Sequence, residues 1–135
     1  MKITSEKAYV TANLLDVYAF LSHAKNIALL LPHDKISDFQ SDDNGCSFRV
    51  QGGILIPLVY TNRDSVTHIE MKSGEKAPFP YTLTIHLNDL TQVVEGHIEF
   101  HAEISVFMKM MVEKPLNALF NGMTAQLQQH FSTEI

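Results

Sequence analysis

A chain of 135 residues with 45% apolar and 19% charged side chains has the length and balance of one domain (residues 1–135) with a continuous core, which excludes a disordered polyelectrolyte. Its 10 basic and 15 acidic residues leave a net charge of −5 and no Lys/Arg cluster, which argues against a nucleic-acid partner. No apolar run reaches the ~18 residues of a membrane span, the N-terminus lacks a signal peptide's apolar stretch, and the lone Cys46 forms no intramolecular disulfide, so a cytoplasmic protein without membrane insertion is expected.

Residues 2–10 alternate weakly, in the manner of a strand. Thr11 or Asn13 can cap a first helix, in which Leu14, Val17, Phe20, Leu21 and Ala24 recur at spacings of three and four. A shorter helical turn over residues 26–31 ends at Pro32. From residue 36 to 104 the signal is strand and turn. Asp42-Asp43-Asn44-Gly45 separates 36–40 from 46–51, and Asn-Gly is expected to supply the positive φ angles of a tight hairpin. Gly52-Gly53 is expected to bend or bulge the next crossing. Segments 55–62 and 66–72 flank the short connection Arg63-Asp64-Ser65, and residues 73–80 (SGEKAPFP) form a loop.

The last two strands are the clearest. Tyr81, Leu83, Ile85 and Leu87 alternate with Thr82, Thr84, His86 and Asn88. Val94, Ile98, Phe100, Ala102 and Ile104 alternate with Glu95, His97, Glu99, His101 and Glu103. Such alternation buries one face of a sheet and wets the other, which rules against an all-parallel sheet. Ser105 then caps a long helix, residues 105–131, with Met108, Met111, Val112, Leu116, Leu119, Phe120, Met123 and Leu127 on one broad apolar face. Pro115 predicts a kink within it.

The order strand, helix, helical turn, six strands, long helix resembles the START-related superfamily, also called SRPBCC, of lipid-transfer domains, polyketide cyclases and birch-pollen-allergen-like proteins. Ala77-Pro78-Phe79-Pro80-Tyr81-Thr82-Leu83 is similar to the "SPFPFTL" strand entry of small bacterial members. Met108 to Leu116 is similar to their "MKMMxxKPL" helix, and Cys46-Ser47-Phe48 fits the same subgroup. Gln51-Gly52-Gly53-Ile54 departs from the proline- and glycine-containing turn of that pattern. The resemblance implies an α+β helix-grip fold. In it a curved antiparallel sheet of about seven strands wraps a long C-terminal helix, with two short helices after strand 1. It does not imply one function, because the fold hosts carriers, cyclases and cochaperones.

Packing the concave sheet face on the last helix brings Phe48, Val50, Leu83, Ile85, Phe100, Met108, Met111, Phe120 and Met123 together as an apolar ligand-binding wall. A filled core is the competing arrangement of the same residues. Tyr60 and Tyr81 are the candidate pocket hydroxyls, able to orient a ligand's polar group. The His97, Glu99, His101, Glu103 row, with His86, His68 and Glu70 on neighbouring strands, has metal-binding residue types. Alternation puts it on the wet face, so no metal and no other cofactor is expected. No GxSxG, P-loop, HExxH or dinucleotide fingerprint is present, and Cys46 has no neighbouring histidine in sequence to activate it. The expected function is non-catalytic binding or transport of a small apolar ligand. A cyclase or dehydratase using Tyr60, Tyr81 or Asp64 is the alternative. A third is an interaction module, possible homodimer included, docking through the doubly apolar segment 54–59.

Overall fold

Antiparallel strands joined by short turns pair with their sequence neighbours, and this chain follows that rule almost throughout. The computed structural model describes residues 1–50 and 53–132. Its strands are β1 (Lys2–Thr4), β2 (Ala8–Val10), β3 (Ile36–Asp42), β4 (Gly45–Val50), β5 (Ile54–Asn62), β6 (His68–Ser73), β7 (Tyr81–Asp89) and β8 (Val94–Ala102). They form one sheet in the order β1-β8-β7-β6-β5-β4-β3, with β2 also on β8. The helices are α1 (Leu14–Leu21), a 3-10 helix (Ala24–Leu30) and α2 (Val106–Ser132). This is the expected α+β helix-grip arrangement, with seven strand positions across the sheet.

The first position is split because Ser5 interrupts it. Its backbone N–H donates to the Ile98 carbonyl at 2.8 Å, and its hydroxyl, not its carbonyl, accepts from the Ile98 N–H at 2.8 Å. β1 and β2 therefore share one partner strand with a side chain bridging the gap.

The β3–β4 hairpin forms where expected but by a different device. Among the described residues positive φ occurs only at Asp38, Gly53, Lys76 and Thr91, not at Asn44 or Gly45. The Asp42 carboxylate instead accepts from the N–H groups of Asn44 and Gly45, at 2.8 and 3.0 Å, which ties the turn down without left-handed residues. Gly45 is required for space: a Cβ there would lie 1.9 Å from the Leu58 carbonyl oxygen of β5. In the next turn Gly52 lies outside the described residues. Gly53 adopts φ +81 and donates to the Val50 carbonyl at 2.9 Å.

Register across β7 and β8 pairs Leu83 with Phe100, Ile85 with Ile98 and Leu87 with Gly96 on the inner face. α2 starts where Ser105 caps it, the Met108 N–H donating to the serine hydroxyl at 3.2 Å. It continues through Pro115, whose missing N–H leaves the Met111 carbonyl without its usual donor. Its buried stripe of Val112, Leu116, Leu119, Phe120, Met123 and Leu127 lies over β8, the β1/β2 edge and the 3-10 helix. The Phe100 and Phe120 rings meet with centroids 5.0 Å apart. α1 is capped by Asn13, whose side chain accepts from the Asp16 N–H at 2.9 Å, and buries Val17 and Leu21.

Replacing Gly45 with Ala is expected to destabilise the protein by about 2–3 kcal/mol, because the new methyl meets backbone that cannot rotate away. A urea midpoint equal to wild type would contradict this account of the hairpin.

Candidate ligand cavity

The inner sheet face, α2 and the α1–3-10 segment enclose the molecule's apolar interior. Leu58, Met71, Leu83, Ile85, Gly96 and Ile98 line it from the sheet. Met123, Thr124 and Leu127 line it from α2, and Leu21, Ile27 and Leu30 from the segment after β2. The space left between them has a cavity volume of about 20 Å³, on the order of one water molecule. The walls therefore meet, and side-chain packing fills the interior. Gly96 sits where α2 crosses β8: a Cβ there would come within 3.3 Å of Leu87 and 3.9 Å of Leu127. The lining is almost wholly apolar. Thr124 donates its hydroxyl to the Asn121 carbonyl at 3.1 Å, and His97 belongs by strand parity to the outer face.

Of the residues assigned to the wall from sequence, Leu83, Ile85 and Met123 line this cavity, and Phe48, Phe100 and Phe120 are packed core around it. Val50 is buried beside a separate groove of about 170 Å³ between Pro32, Pro115 and Leu119. Met108 is half-buried against the core, whereas Met111 is 54% exposed and does not face inward. Helix phase explains it: Val112 leads the buried stripe, and its neighbour Met111 is turned ~100° away. Val106, Phe107 and Met110 are exposed on the same two turns.

Neither tyrosine offers its hydroxyl to a ligand. Tyr60 donates to the Leu21 carbonyl at 2.8 Å, and Tyr81 to the Pro57 carbonyl at 2.6 Å. Pro57 lies beyond the end of β6 in register, and its carbonyl accepts from Tyr81 and from the Gly74 N–H. Burial raises the pKa of both phenols. Burial, with the nearby Asp42 carboxylate, pushes the Cys46 thiol up to about 12, which leaves it unreactive. The α1 and 3-10 contributions to the wall, together with Gly96, were not assigned from sequence. The signals were present: an amphipathic stripe on α1, and a glycine inside a strand, which marks close approach of another element.

The histidine row lies on the outer face. His68 opposes His86 and His86 opposes His97 across three adjacent strands. The His86 and His97 rings stack at 4.7 Å, and His68 meets His86 edge-on at 5.0 Å. Stacked rings do not converge on a common ion, and among the described residues no group of three or more His, Cys, Asp or Glu side chains could hold one. Glu99 organises the polar end of the row. Lys2 approaches one carboxylate oxygen at 3.0 Å and His86 the other at 2.9 Å, and with His101 they hold the carboxyl at about 2. Burial, then His86 and Lys7, lower the pKa of His97 against an opposing pull from Glu99 and Glu95.

No protein-family model matches the chain, and no curated protein sequence matches it. Solved structures do. A START superfamily protein from Mycobacterium smegmatis superposes with a TM-score of 0.69 at 8% identity, covering 99% of each chain. The KanY protein superposes with a TM-score of 0.77 at 9% identity, over 98% of this chain and 97% of that one. A protein from Arthrobacter aurescens gives 0.73 at 16% identity, over 97% and 86%. The chain thus has the START-like helix-grip fold, and no helix of the described residues is long and apolar enough to cross a membrane.

The outer face sets a pH dependence with a definite sign. The folded state disfavours charged His97, so the unfolded chain takes up the proton first, and stability is full above the ordinary histidine range and falls as pH drops through it. Urea midpoints measured from about pH 7.5 to pH 5 should decline, and His97→Gln should decline less steeply. Glu99, held low, supports folding above the ordinary carboxylate range and loses that support only as pH falls towards about 2. Identical slopes in wild type and His97→Gln would show that His97 carries none of the effect.

Proposed function

We propose that the protein binds or carries a small apolar molecule, of lipid, fatty acyl or polyketide-like class, between the sheet and α2. The carrying observation is the cavity wall: apolar side chains from three separate elements, with Met71 and Met123 among them, close on one another beside a glycine at the helix crossing. Unbranched methionines repack around irregular guests. The resemblance to a superfamily that includes lipid-transfer domains supports the same class of ligand. A cyclase or dehydratase in this cavity would need polar side chains converging on one reacting atom. Tyr60 and Tyr81 are committed to backbone carbonyls, and Asp64 is exposed on the β5–β6 turn, so binding fits better than catalysis. A cytoplasmic setting suits the buried, unpaired Cys46.

Native mass spectrometry against a series of fatty acids should show a one-to-one adduct. Gly96→Val, which crowds Leu87 and Leu127 at the helix crossing, should lose it while keeping the wild-type circular dichroism. No adduct and no thermal shift with any chain length would overturn this function.

Homodimer formation through α2 is a second reading, and one observation favours it. Val106, Phe107, Met110 and Met111 form an exposed apolar strip, beside a Lys109–Glu113 pair at 3.9 Å. Two such strips packed antiparallel set Lys109 of one copy against Glu113 of the other, the self-complementarity a two-fold interface needs. Segment 54–59 is not that surface, because none of its side chains is exposed. Sedimentation should show a concentration-dependent dimer that Met110→Glu abolishes. A monomer at all concentrations would remove this reading.

A further inference from the structure

We infer that α1 and the 3-10 helix form a lid over the apolar cavity, latched shut by Tyr18, Tyr60 and Arg63. This rests on the ligand-binding function for its purpose, though not for its mechanics. Leu21, Ile27 and Leu30 supply one wall of the cavity. The sheet wall is fixed by ladders of backbone hydrogen bonds, and α2 is 27 residues long. The lid wall is an eight-residue helix followed by a seven-residue 3-10 helix, each too short to be stable alone. It is the part of the enclosure that can leave with the least disruption.

The latch joins this segment to β5 and the turn after it. The Tyr60 hydroxyl donates to the Leu21 carbonyl at 2.8 Å, and Arg63 Nη1 donates to the Ser22 carbonyl at 3.0 Å. These carbonyls end α1, where the helix has no donors of its own and where its dipole favours a cation. The guanidinium lies 4.1 Å over the Tyr60 ring, so the two latch residues brace each other. Tyr18 returns the connection from α1, its hydroxyl donating to the Arg63 carbonyl.

Water can take over the bonds of Tyr18 and Arg63, which lie along open solvent. A polar cleft of about 710 Å³ runs along the latch, bounded by Tyr18, Ser22, His23, Asp42 and Arg63. Opening there leaves no buried polar group unsatisfied, whereas parting the sheet would strand a ladder. Beneath the latch only apolar surface separates, and an apolar guest would cover that surface again. Phe20 packs on Phe131 and His130 near the C-terminal end of α2, at 5.6 and 4.4 Å, and holds α1 there independently of the latch.

Hydrogen exchange on the full chain without any ligand tests the lid directly. Tyr60→Phe and Arg63→Ala should speed exchange of amides 14–31 by about five- to tenfold, while β6, β7 and β8 keep wild-type protection. Tyr81→Phe, which removes a hydroxyl bonded inside the sheet, should leave 14–31 unchanged. With N-phenyl-1-naphthylamine as probe, the latch variants should raise association and dissociation rates together and leave Kd within about twofold. Unchanged exchange at 14–31, an equal rise across the sheet, or a bound probe with wild-type rates would each overturn the lid. Local opening as expected, with no probe binding by any variant, would uphold the lid and count against the ligand-binding function.

Discussion

The packing of α2 on the concave face of the sheet is the contact on which everything else depends. Phe120 meets Phe100, and Leu127 reaches the gap left by Gly96, so helix and sheet approach closely along β8. β8 also carries β1 and β2 on its other edge, which makes it the strand that unites the N-terminus, the sheet and the helix. Without α2 the inner face of β8, with Ile98 and Phe100, would lose its cover. Each such side chain is worth about 1.5–3 kcal/mol when buried.

Strand parity then divides the chemistry. On β8, Ile98 and Phe100 point inward, while His97, Glu99 and His101 stand on the outside with Lys2 and His86. The ionisable groups thereby stabilise a wet surface and tune its response to pH, while the interior holds none of them in a converging arrangement. The interior hydroxyls are used architecturally. Tyr81 satisfies a carbonyl beyond the end of β6, and Tyr60 satisfies the end of α1. A buried polar group with a fixed partner defines one packing arrangement; it is not free for a second task.

Much of this was legible in the residues. Alternation in 81–88 and 93–104 gave the correct inward and outward sets, because strand periodicity leaves no freedom once one face is buried. The α2 stripe was right from Val112 onward but too broad at its start. Met111 fits an apolar face by spacing, and only the point where the helix leaves the sheet shows that its first turns extend past the core. The β3–β4 turn was located correctly by Asp42 to Gly45, yet its mechanism was not. An aspartate side chain can replace left-handed backbone, and whether Gly45 serves φ or space depends on how near β5 approaches. The latch was invisible for the same reason: its bonds to α1 join residues 39 to 45 positions apart, and no local pattern couples them.

The broken N-terminal strand carries a consequence for how the protein is made. Ile3, Ala8 and Val10 are buried against β8 and α2, and Ser5 finds its partner Ile98 across 93 positions. Pairings this distant close late and slow folding. On the ribosome the first strand must wait, apolar side chains uncovered, until most of the sheet has emerged. Its two three-residue pieces suit that delay, because neither is long enough to template a wrong partner. The serine that joins the two pieces in the finished sheet is also what keeps each of them short.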